Sequence, residues 1–183
     1  MSEQANLGLV DGVNLLDTSI YAQVVATNAL RTAYGFELLQ IKDEGRCYLL
    51  AEASGERILF LVGSRYHKKD SSSSLVPKKA LADVEALSEK LQAIPAYCHV
   101  AICEENNLET RIIAATTKAL KLCAEDGGEI NRPVQKKENG DYRLTYTNRH
   151  VPTIQENPRL AYMSVTTTRD PKNAYLSTFT LNK

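Results

Sequence analysis

The chain has 183 residues, enough for one domain with a sizeable core, and 43% of them are hydrophobic, as in an ordinary globular protein. Its 22 basic residues cancel its 22 acidic ones, which argues against a protein that coats nucleic acid by bulk charge but leaves room for a local basic patch. No window approaches the ~20 apolar residues of a membrane span, and "MSEQANLGLVDG" has no basic n-region or long apolar run, so neither a membrane protein nor a signal peptide is expected and the location expected is cytoplasmic.

In chain order, residues 1–14 read as a loose leader. Asp17, Thr18 and Ser19 offer helix N-caps; Leu16, Ile20, Val24 and Tyr34 follow helical spacing, and Gly35 supplies a C-cap. This predicts a helix over 17–34. "FELLQI" (36–41) is a short strand candidate and "KDEG" a turn. "RCYLLAE" (46–52) and "RILFLVGS" (57–64) are two strands joined through "ASGE" as a hairpin. "SSSS" (71–74) reads as a flexible loop. Pro77 suits the first turn of a helix, and Leu81, Val84, Leu87, Leu91 and Ile94 make one apolar stripe. Pro95 is expected to end that helix, predicted over 77–94.

"AYCHVAIC" (96–103) is a buried strand. Asn107 is expected to cap a further helix with Leu108, Ile112, Ala115, Ala119 and Leu122 on one face, stopped by Gly127 and Gly128. Beyond Glu129 the chain turns polar, then rich in Thr, Tyr and Val. "YRLTYT", "LAYMSVTTT" and "AYLSTFTL" read as strands of an antiparallel meander.

The four cysteines, Cys47, Cys98, Cys103 and Cys123, contain no CxxC pair. A zinc site needs four ligands in tight pairs, which this spacing does not provide, so the cysteines are expected as small buried hydrophobes and no cofactor is called for. Cys98 and His99, adjacent on a strand, point to opposite faces and make no dyad. Ser64 and His67 lack an acidic orienter.

Arg65, Tyr66, His67, Lys68 and Lys69 follow directly on a buried strand. An arginine forks phosphate oxygens, lysines add point charge and a tyrosine can stack on a base, so these five residues are the candidate nucleic-acid contacts. The plain alternative is a solvated loop. Arg132, Lys136, Lys137, Arg143 and "TNRHVP" make the C-terminal third locally basic as well, as a charged β edge would be.

The order helix, strand, strand, strand, helix, strand, helix over 17–124 resembles the restriction-endonuclease-like fold of PD-(D/E)XK nucleases, most closely the Mrr-like branch. The segments that carry the resemblance are "LVGSRY" (61–66), the stripe helix 77–94 and "HVAICEENNLETRII" (99–113). It implies an α/β protein with a mixed central sheet flanked by helices: a nuclease-like core over 1–129, and a C-terminal antiparallel β extension over 130–183 packed on the same domain.

The resemblance also implies a carboxylate on the second strand and a (D/E/Q)-x-K pair on the third, which hold Mg²⁺ and orient water. Those positions fall at Tyr48, Val62 and Ser64, none of which can do that work. The expectation is therefore a non-catalytic binding or accessory protein, meeting nucleic acid through 65–69 or a protein partner through its C-terminal strands. The alternatives are an active Mg²⁺-dependent nuclease with a rearranged site, for which Glu37, Asp43 and Glu44 are the displaced carboxylates to consider, and a structural or assembly protein.

Overall fold

The computed structural model describes residues 15–67, 73–103, 109–126, 132–169 and 175–182. The elements run α1 (Leu15–Tyr34), β1 (Glu37–Asp43), β2 (Arg46–Ala53), β3 (Glu56–His67), β4 (Ser73–Val76), α2 (Lys78–Leu91), β5 (Ile94–Cys103), β6 (Glu109–Thr116), α3 (Thr117–Glu125), β7 (Val134–Lys136), β8 (Tyr142–Thr145), α4 (Val151–Glu156), β9 (Ala161–Arg169) and β10 (Tyr175–Asn182). Seven strands form a mixed sheet in the order β1-β2-β3-β5-β6-β9-β10; β4, β8 and β7 form a second, three-stranded sheet. Among the described residues only β3 and β5 run parallel in the large sheet, joined by the crossover that contains β4 and α2.

The expected α/β architecture, a mixed central sheet flanked by helices, is the one observed. One face of the sheet packs on α1 and buries Leu49, Phe60, Cys98, Val100, Ile102 and Ile112. The opposite face packs on α2, α3 and the small sheet and buries Tyr48, Leu59, Leu61, Tyr97, Ile113 and Leu120. Cys47, Cys98 and Cys123 are buried and free. Among the described residues no helix is long and apolar enough to cross a membrane.

Both predicted turns form, and each closes a hairpin. Glu44 and Gly45 have φ of 48° and 76°, and Ser54 and Gly55 have 53° and 81°. Two positive-φ residues match the twist of the flanking strands, which sets the registers Asp43↔Arg46 and Ala53↔Glu56.

One buried face and three boundaries differ from the sequence reading. Helical spacing finds α1 but not its buried side: Ile20 and Val24 are 62% and 53% exposed, while Ala22, Val25, Ala26, Ala29 and Leu30 line the core. Small alanines let the helix sit close on the sheet. Helix α2 stops at Leu91 because Gln92 turns left-handed (φ 50°) and Ala93 N–H closes on Ser88 O at 2.9 Å, a Schellman-type end. Ile94 and Pro95 thus begin β5. Ser73 and Ser74 belong to β4, paired antiparallel with β8.

The largest difference is β6. The helix expected from Asn107 is a strand to Thr116, and only 117–125 is helical, with Thr116 Oγ1 accepting from Ala119 N–H at 3.1 Å. Strand β6 is buried on both faces from Thr110 to Ala115. A doubly buried strand has no alternation to show, and its apolar run mimics helical periodicity. Asn107 itself, the leader 1–14 and Gly127–Gly128 lie outside the described residues.

The expected meander is divided. Strand β8 joins the small sheet, while β9 and β10 extend the large one, β9 pairing with β6.

Candidate functional site

Strand β3 carries the site because its alternation decides what faces what. Leu59 and Leu61 point to the α2 side together with Tyr48, while Phe60, Val62 and Tyr66 pack toward α1. Tyr48 and Val62 are therefore on opposite faces of the sheet, and Ser64 follows Val62. The three positions that the nuclease resemblance assigns to metal ligands do not converge.

On the Tyr48 face the corresponding residues are Gly63 and Arg65. A Cβ at Gly63 would lie 2.0 Å from the phenol oxygen of Tyr97, so the Tyr97 ring occupies the space a ligand side chain would need. The displaced carboxylates do not converge either. Glu37 pairs with Glu52 at one end of β1 and Asp43 with Arg46 at the other, six residues apart, or about 20 Å by strand rise. Among the described residues no three His, Cys, Asp or Glu side chains gather as a metal site.

Arg65 is exposed, near the end of β3, and makes no ion pair among the described residues. It stands in one register row with Ala101 of β5 and Arg111 of β6, on the α2 face. Ala101 between the two arginines is fully buried in the core. Arg111 is only 1% exposed. Its Nη1 donates to Tyr146 O, and its Nη2 donates to Glu109 Oε2 at 3.0 Å and to Asn148 Oδ1 at 2.5 Å. It is a structural anchor for the segment after β8, and the exposed Arg149 follows in that segment.

The other residues of the basic run divide. Tyr66 is half-buried and packs on the α1 side, away from Arg65. His67, grouped with the cations from sequence, is buried instead: its exposure is 4%, and its Nε2 lies 2.6 Å from the Tyr146 hydroxyl. The strand's alternation turns it inward on the α2 side. Lys68 and Lys69 lie outside the described residues. Ser64 is exposed on the face opposite His67, so the two form no pair.

Behind Arg65 lies a polar cluster that the sequence reading did not find. The Tyr146 hydroxyl is 2.6 Å from Ser74 Oγ and 3.3 Å from His99 Nε2, in addition to His67. His99 Nδ1 lies 3.4 Å from the Tyr97 hydroxyl. Burial, reinforced by His67 and Arg65, pulls the His99 pKa down to about 3. Burial raises the Tyr97 phenol and pushes the Cys98 thiol up to about 12. The available signal was an arginine and a histidine inside otherwise apolar strands, "ETRIIAAT" and "AYCHVAIC".

No family model matches the chain, and no curated protein does. Solved structures do match, among them the Holliday junction resolvase Hjc of the archaeal hyperthermophile Archaeoglobus fulgidus, with a TM-score of 0.41 and 7% identity over 73% of this chain and 88% of that one.

Proposed function

We propose that the chain is a non-catalytic nucleic-acid-binding protein on a nuclease-like α/β core, and that it contacts phosphates through Arg65, with Lys68 and Lys69 beside it in sequence. The observation that carries the reading is Arg65: an exposed guanidinium, unpaired among the described residues, near the end of β3, where the strand is still paired with β5 although its pairing with β2 ends at Leu61. A planar guanidinium can fork a phosphate with two parallel hydrogen bonds. The lack of catalysis is supported by Tyr97 over Gly63 and by the divergence of Tyr48, Val62 and Ser64. His67 has no place among the contacts, because its imidazole is buried. In this reading the chain works in the cytoplasm, and residues 130–183 are an extension of the same domain.

Fluorescence anisotropy on labelled single- and double-stranded oligonucleotides tests it over a salt series, with and without Mg²⁺. Expected are binding that weakens steeply with salt, similar affinities for unrelated sequences, and intact oligonucleotides. Mg²⁺-dependent cleavage would replace the reading with that of an active nuclease. Absence of binding at low salt would leave a protein partner, for which β10 at the sheet edge is the surface.

A further inference from the structure

One hydroxyl ties three elements together in the buried cluster. Tyr146, which follows β8, is itself fully buried, and its OH meets His67 at the end of β3, Ser74 in β4 and His99 in β5. The second of these contacts lies within the small sheet. The first and third tie that sheet to the large one beside the apolar packing of Val76, Val134, Tyr142 and Leu144. Below Tyr146, Arg111 of β6 grips the same segment through Tyr146 O and Asn148.

We propose that this cluster is an acid-sensitive clasp, in which protonation of His99 opens the β4-β8-β7 sheet from the central sheet while the central sheet stays folded. The charges around His99 favour that outcome. From β3 it faces Arg65 and His67; Arg111 of β6 lies in the neighbouring row; Tyr97 and Tyr146 offer only phenols. The carboxylate of Glu109 is taken up by Arg111. A second cation placed here is repelled, and at 2% exposure it is not hydrated. Water reaches His99 most directly if the small sheet lifts; this also uncovers Val76, Val134, Tyr142 and Leu144 of the shared core, so opening is a minor excursion whose population the proton raises.

The direction follows from the proton count. His99 titrates at its ordinary 6.5 when opened and at about 3 when closed, so the open form takes up the proton as pH falls below 6.5. Between pH 7 and pH 5 the opening equilibrium rises roughly 25-fold on those two values. The inference is independent of nucleic-acid binding.

Hydrogen exchange of the full chain at pH 7 and pH 5, corrected for intrinsic exchange rates, tests it. Peptides covering 73–76 and 142–146 should lose protection about 25-fold at pH 5 and, at both pH values, should be clearly less protected than those of β5 and β6 around Val100 and Ile112, which exchange only by global unfolding. Equal protection in the two regions, or no loss in the small sheet, would overturn the proposal. His99→Gln keeps a hydrogen-bonding side chain without a titrating ring, and should abolish the pH dependence; a folded variant that keeps it contradicts the clasp. If His99→Gln does not fold, the wild-type protein decides by imidazole NMR. The chain has three histidines. The His99 ring should take up its proton in step with the loss of protection at 142–146; uptake with that region still protected overturns the proposal.

Discussion

Replacing Gly63 by alanine probes the closed position beside Arg65. The added Cβ would lie 2.0 Å from the Tyr97 oxygen and 2.7 Å from its Cζ, where non-bonded carbon contacts settle near ~3.5–4.0 Å. Tyr97 cannot swing aside cheaply: it is 5% exposed, and its ring stacks on His99 at 6.1 Å between centroids. Overpacking of this kind costs ~1–3 kcal/mol. Against it, alanine is better than glycine inside a strand by about 0.5–1 kcal/mol. The net expectation is a loss of about 1–2 kcal/mol in urea denaturation followed by circular dichroism. In a Tyr97→Ala background the clash is gone, and the same substitution should be neutral or slightly stabilising. The double-mutant cycle should thus show a coupling of at least about 1 kcal/mol. If Gly63→Ala is as stable as the wild type and additive with Tyr97→Ala, the Tyr97 ring does not cover Gly63 and the closed-site account fails.

Further outcomes follow from the same structure. Leu81, 1% exposed, should cost ~2–5 kcal/mol when changed to alanine, and Leu87, only partly buried, clearly less; equal costs would show that α2 is rotated from its described face. Because the folded His99 pKa is depressed, its contribution is complete above pH 6.5 and is lost on acidification, so stability by urea melt should fall by about 2 kcal/mol from pH 7 to pH 5. A flat profile would contradict the burial of a neutral imidazole. Mg²⁺ should leave the melting temperature unchanged, since a specific ion at a hundred times its Kd adds ~2.7 kcal/mol; a saturable, EDTA-reversible rise would reveal a ligand set.

The fold was more legible in the sequence than the site. Strong local signals located the two turns at 42–45 and 53–56, the β2–β3 hairpin and the α2 stripe. What failed were the tertiary effects. Strand β6 hides its alternation because both its faces are buried, and its isoleucines and alanines fall by chance at helical intervals. Ile20 and Val24 mark a helix whose buried side is mostly alanine, which carries little weight in an apolar pattern. At the site, the contiguous run Arg65–Lys69 looked like one surface. A strand's two-residue period instead sends Arg65 outward, Tyr66 toward α1 and His67 into the core. The same period shifts the nuclease-like comparison by one residue, from Val62 and Ser64 to Gly63 and Arg65. The His67–Ser74–His99–Tyr146 cluster joins residues 79 positions apart at its widest, which no local pattern records.

The most direct test of the central claim is the salt dependence of oligonucleotide binding by Arg65→Ala beside the wild type, both shown to be folded. Loss of one phosphate contact should weaken binding alike for unrelated sequences and flatten the salt slope by roughly one unit; Arg65→Lys should recover the slope but not the full affinity. Binding by Arg65→Ala with wild-type affinity and slope, or wild-type cleavage of the oligonucleotide in Mg²⁺, would contradict the account.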